Sequence, residues 1–134
     1  MLNIEILHDF FAPLFPGLMR IRFIELAKDR VVGELEVRPD FCTEEGILHG
    51  SAYMAFADTL GAVGIGLNLN EGKRQTTTDS TTKFITPARV NTKVIGESIP
   101  LHRGRTTMVW QTTIRGTQGK LYAVVTHTQL ALDK

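Results

Sequence analysis

The segment Gly46-Ile47-Leu48-His49-Gly50-Ser51-Ala52-Tyr53-Met54-Ala55-Phe56-Ala57-Asp58-Thr59-Leu60-Gly61 sets the architecture of this chain. From about Gly50 to Gly66 the chain reads as a helix that is apolar on nearly every side, and such helices are buried. It is rich in small residues, among them Ala52, Ala55, Ala57, Gly61, Ala62, Gly64 and Gly66. Glycine in a helix interior costs roughly 1 kcal/mol relative to alanine. Accepting that cost repeatedly points to other backbone approaching closely, most simply a curved sheet with this helix inside it. The apolar run is interrupted by Asp58 and falls short of the ~20 residues of a membrane span.

Outward from this helix the chain divides in two. Before it, residues 3–15 read as a short helix, with Ile4, Leu7, Phe11 and Leu14 at helical spacing and Pro16-Gly17 as the stop. Met19, Ile21 and Phe23 then alternate with Arg20 and Arg22 as a half-buried strand. After a turn at Lys28-Asp29, Val31, Gly33, Leu35 and Val37 form its hairpin partner, ending at Pro39. After the helix, 14 of the 16 threonines lie at or beyond position 76, and threonine favours strands. Four strands are predicted, at about 75–85, 91–101, 104–116 and 120–131, with turns at His102-Arg103-Gly104 and Gly116-Thr117-Gln118-Gly119. The expectation is one α+β domain over residues 1–134: an antiparallel six-stranded sheet with one buried helix.

Composition agrees with a folded globular chain: 134 residues, 43% hydrophobic, 22% charged, net charge +1. The single cysteine, Cys42, excludes an internal disulfide framework. With no targeting segment in the sequence, a cytoplasmic protein is expected. Four scattered histidines, His8, His49, His102 and His127, have no ligand spacing, so neither a metal nor a cofactor is predicted. Residues 1–67 hold 5 Lys/Arg against 10 Asp/Glu, and residues 68–134 hold 10 against 4. That asymmetry suits an anionic ligand near the second half, unless folding interleaves the halves. No basic run with interleaved aromatics marks a nucleic-acid surface.

Asp58 is the only charge between Glu45 and Glu71. A buried carboxylate has to be paired, hydrogen-bonded or protonated. Asp58 therefore either marks one wet face of the helix or is a catalytic carboxylate at the floor of a cleft. His49-Gly50-Ser51 stands at the helix start, where backbone N–H groups lack internal acceptors and the dipole is positive. With no side chain at Gly50 in the way, these amides can form an oxyanion hole. The plainer readings are a tight turn for Gly50 and an ordinary cap for Ser51. Gly50 and Asp58 are separated by roughly 12 Å of helix, whereas both must lie about 3 Å from one reacting carbonyl. One helix cannot do this. Two antiparallel copies in a twofold dimer can, twice over.

The sequence resembles the hotdog-fold thioesterases of the PaaI-like, 4-hydroxybenzoyl-CoA thioesterase superfamily. The matching pieces are Gly46…Leu48-His49-Gly50, Ala57-Asp58, Phe84-Ile85-Thr86-Pro87-Ala88 and His102-Arg103-Gly104-Arg105. The resemblance implies a sheet wrapped around the central helix, a homodimer or dimer of dimers, and hydrolysis of a small aryl- or acyl-CoA thioester. It implies Asp58 as nucleophile or general base, the partner's Gly50 N–H as oxyanion donor, and His49 lining the same place. Thr77, ten residues before Pro87, would position substrate or water, with Thr76 and Thr78 one register slip away. Arg103 and Arg105 would meet CoA phosphates. Thr43 stands where relatives often carry Asn, and Ser51 where many carry a second Gly. Both fall in the expected substrate-binding region. The competing readings are a non-catalytic acyl-CoA or lipid binder and a hydratase acting on enoyl-CoA.

Overall fold

The chain is described over residues 2–134 in a computed structural model. Its elements run α1 (Ile4–Phe11), α2 (Phe15–Met19), β1 (Arg22–Ala27), β2 (Arg30–Glu36), a 3-10 turn (Pro39–Phe41), α3 (Gly50–Gly66), β3 (Lys73–Phe84), β4 (Lys93–Arg103), β5 (Thr107–Gly116) and β6 (Leu121–Asp133). All six strands form one antiparallel sheet in the order β1-β2-β4-β5-β6-β3. The sheet wraps α3, which packs against β2, β3, β4, β5 and β6. Among the described residues no helix is long and apolar enough to cross a membrane.

The small residues of α3 are explained by its depth in the sheet. A Cβ on Gly61 would lie 1.5 Å from Cε1 of His127, and one on Gly64 would lie 2.4 Å from the Trp110 ring. Both rings come from strands that the sequence predicts, Trp110 from β5 and His127 from β6. On β5 Met108, Trp110, Thr112 and Ile114 are buried; on β6 Ala123, Val125, His127 and Gln129 are. Phe56, Ala57, Leu60 and Ile65 complete the buried side of the helix.

Three sequence expectations change. The first helix stops at Phe11 rather than near residue 15, and Phe15–Met19 forms a separate short helix. Pro16 lies in the first turn of that helix, where a missing N–H costs nothing, so it helps to start a helix instead of ending one. Met19 belongs to α2 and not to the first strand, the chain reversing at Arg20 with φ 59°. β4 runs on through His102 and Arg103, which places the following turn at residues 104–106.

α3 itself is not buried on every side. Ser51, Met54, Ala55, Asp58, Ala62 and Gly66 recur at three- and four-residue spacing as a stripe that the chain leaves partly open. β3, beside this stripe, is an edge strand with β6 as its one strand neighbour among the described residues.

Beneath α3 a polar row crosses the sheet. The Thr112 hydroxyl donates to Ser98 Oγ at 2.9 Å and lies 3.3 Å from His127 Nε2, all three residues being fully buried. Burial pushes the His127 imidazole below its usual pKa, and the Asp58 charge on α3 pulls it partly back.

Two outcomes follow from this seat. Gly61→Ala should lower stability by about 1–3 kcal/mol through overpacking despite a better helix propensity; an unchanged urea midpoint would mean that His127 yields freely. The folded chain also takes a proton at His127 less readily than the unfolded chain does. Stability should therefore be complete above about pH 7 and decline as pH falls below ~6.5, where the unfolded imidazole protonates first. Urea midpoints between pH 7.5 and 5.5 should fall more steeply for the wild type than for His127→Gln, and equal slopes would show that the ring pays no burial penalty.

Candidate functional site

The start of α3 is built by His49. Its backbone is extended (φ −62°, ψ 139°), and its Nδ1 accepts the Ser51 N–H at 3.1 Å. A backbone N–H can only donate, so Nδ1 is bare and Nε2 carries the ring proton. The Ser51 hydroxyl sits 2.6 Å from the same Nδ1, where it donates as well. This corrects the sequence reading of the cap: His49 caps the helix, and Ser51 spends its hydroxyl on His49. Among the described residues nothing accepts the Gly50 N–H. The Phe84 ring lies against Gly50, 3.1 Å from where a Cβ would stand.

The Gly50 end opens into a groove of about 390 Å³ bordered by Thr43, Ile47, Tyr53, Phe84 and Pro87. Backbone bonds hold its walls together: Leu48 N–H donates to Ala88 O at 2.9 Å and Val90 N–H to Gly46 O at 2.9 Å. The buried Tyr53 hydroxyl accepts the Ala88 N–H at 3.0 Å, and burial pushes its phenol pKa up. Thus Gly46–Gly50 and Phe84–Ala88, far apart in the chain, form one wall pair. Thr43 lies on this groove, with its Oγ1 accepting the Glu45 N–H at 3.3 Å. The fastening by Tyr53 escapes sequence reasoning, since an aromatic side chain on an apolar helix reads as plain core.

Asp58 lies on the open stripe, two turns further along α3. Thr77 Oγ1 donates to Asp58 Oδ1 at 2.8 Å. This settles the register among the three threonines: Thr78 Oγ1 reaches Thr128 O at 3.4 Å, and Thr77 is the one at the carboxylate. A register irregularity between Thr77 and Asp79 turns the strand here.

The chain by itself does not unite these groups. Gly50 and Asp58 remain roughly 12 Å apart along α3. Arg103 and Arg105 lie beyond the other end of the helix: Arg103 Nη1 reaches Lys28 O at 3.4 Å, the same carbonyl that Asn68, just past α3, holds at 2.7 Å. They are not near Gly50 of their own chain. Arg105 makes no hydrogen bond or ion pair among the described residues. No group of three His, Cys, Asp or Glu residues could hold a metal ion among those residues.

Residues 45–123 match the pattern of the thioesterase superfamily. A protein named "Putative esterase" from Haemophilus influenzae is 37% identical over 79 residues, which is 59% of this chain and 56% of that protein. The proofreading thioesterase EntH of Klebsiella pneumoniae is 34% identical over 89 residues, 65% of this chain and 64% of its own. Each match thus spans less than two thirds of the relative's length. The crystal structure of a thioesterase from Haemophilus influenzae superposes with a TM-score of 0.93 at 26% identity, covering 99% of this chain and 92% of that one.

Proposed function

Because this chain belongs to the thioesterase superfamily, we propose that it hydrolyses acyl-CoA thioesters at sites shared between two copies of the chain. The observation that carries this reading is the pairing of an unspent Gly50 N–H with a Thr77-bound Asp58 on one helix, too far apart to serve one carbonyl. A twofold pair of antiparallel α3 helices sets Gly50 of one copy opposite Asp58 of the other. The open stripe on α3 and the unpaired edge of β3 favour that arrangement, because both are surfaces a folded chain tends to cover.

In this site the thioester carbonyl oxygen points at the Gly50 N–H; His49 and Ser51 face a separate hollow bordered by Phe41, Cys42 and Ala55, and His49 serves as the helix cap. Negative charge develops on that oxygen as the carbonyl carbon is attacked, and donors already in place stabilise it without reorganising. Asp58 either attacks the carbon itself or takes the proton from the water that does. The Thr77 hydroxyl fixes one carboxylate oxygen and leaves the other for this work. The products are the free acid and the CoA thiol. The Gly50 groove suits the slender pantetheine arm, and the partner's end of α3 brings Arg103 and Arg105 to the phosphates beyond it.

Thiol release from acyl-CoA should fall by orders of magnitude in Asp58→Asn. Gly50→Pro removes the N–H yet suits a first helical position, and the extended His49 tolerates a following proline. Its kcat should drop about 10²–10³-fold, whereas Gly50→Ala, which keeps the N–H, should lose far less.

Mixing tests the shared site directly. Asp58→Asn and Gly50→Pro proteins, each inactive, should regain about a quarter of wild-type activity after subunit exchange, since half the dimers then carry one intact site out of two. No recovery among exchanged dimers would place both groups in one chain and end this reading.

A further inference from the structure

A carbonyl oxygen has lone pairs for two hydrogen bonds, and the Gly50 N–H supplies one. Three hydroxyl side chains border the same groove, those of Thr43, Tyr53 and Thr86. The two threonines are half-buried, whereas Tyr53 is 3% exposed. A phenol has one proton to give and lone pairs to receive. Tyr53 Oη receives the Ala88 N–H at 3.0 Å, and among the described residues nothing accepts its own proton. Burial pushes the phenol pKa up and the Ala88 N–H pulls it only partly back, so the oxygen keeps that proton.

The hydroxyl stands at the right end of the helix. Tyr53 follows Gly50 by roughly 4.5 Å along α3. Helical side chains lean back toward the N-terminus, and the length of a tyrosine carries its oxygen past the first turn. The bond to Ala88 shows that it goes there: Ala88 O receives the Leu48 N–H, and Leu48 precedes Gly50 by two residues. Phe84 joins the two donors. Its ring lies against Gly50 and meets the Tyr53 ring edge-on, with centroids 5.8 Å apart. An apolar wall of this kind lowers the local dielectric and strengthens hydrogen bonds made beside it.

Resting on the thioesterase reading above, we infer that the Tyr53 hydroxyl is the second donor to the thioester carbonyl oxygen, working beside the Gly50 N–H. Both donors then come from one copy of the chain, and the acid that serves the carbonyl carbon comes from the other. Tyr53 shares its proton with the developing oxyanion and does not transfer it. The Ala88 N–H fixes the phenol oxygen before substrate arrives, so the donor needs no rearrangement as charge builds up. Thr43, in a looser position on the groove, has no such anchor in the core.

Calorimetry on the full chain tests this with two CoA derivatives that cannot be hydrolysed. One is a dethia ketone, with a methylene in place of the thioester sulfur and the carbonyl kept. The other is an S-alkyl thioether of equal chain length, without the carbonyl. Tyr53→Phe should weaken the ketone about three- to tenfold and the thioether less than about twofold. In thiol release from acyl-CoA its kcat should fall about 100-fold, with KM within about threefold of the wild type. Tyr53→3-fluorotyrosine, a stronger donor but a weaker acceptor, should keep full kcat. A residue that only props the wall through Ala88 would lose activity in both variants, and that result overturns the inference. So does equal weakening of ketone and thioether, or an unchanged kcat in folded Tyr53→Phe. A ketone-selective loss in a protein whose wild type releases no thiol keeps Tyr53 as a carbonyl donor and removes the hydrolase. Normal turnover without that loss does the reverse.

Discussion

The depth at which α3 sits in the sheet governs everything else. At Gly61 and Gly64 nothing separates the helix backbone from the rings of His127 and Trp110. Any side chain there would lift the helix by a fraction of its own width. The Thr77–Asp58 hydrogen bond, which spans strand and helix at 2.8 Å, does not survive a displacement of that size. The seat also decides which stripe of α3 is left open, and so which residues are available to a substrate or a second chain. Core packing and the chemistry of the site are consequences of one close approach.

A division of labour follows from the length of the helix. Its first turn offers an uncommitted amide, its middle an oriented acid, and its last turns the small residues that seat it in the sheet. Each feature exploits a different property of the same element: the unsatisfied N–H groups of a helix start, the reach of a single carboxylate to a neighbouring strand, and the absence of bulk. Because these properties are spread along the axis, one copy of the helix presents an incomplete set. The loop that reaches back from β3 reinforces the first turn, with Ala88 held by Tyr53 and Phe84 resting on Gly50.

Much of this was legible in the residues. The crowding of threonines after position 76 announced the strands of the second half, and the repeated small residues of α3 announced a close neighbour. Other features were hidden for definite reasons. Choosing among Thr76, Thr77 and Thr78 needs an unbroken two-residue period, and the irregularity between Thr77 and Asp79 breaks it. His49 displaced Ser51 as the cap because serine is the commoner capping residue and the imidazole reaches the same N–H. Pro16 reads as a helix stop or a helix start with equal ease, and only the extended Leu14 before it shows which.

The order of elements, the buried central helix, the lone acid within it and the His-Gly start were determined by the sequence alone. They are local properties: hydrophobic period, residue size and the charge of single positions. Tertiary structure decided how deep the helix lies, which of its faces stays open, which threonine meets the acid, and that Arg103 and Arg105 stand at the far end from Gly50. Those outcomes depend on contacts between residues distant in the chain, such as Gly61 with His127 and Tyr53 with Ala88. Periodicity can say that a side chain faces inward, but only the assembled sheet determines what it meets there.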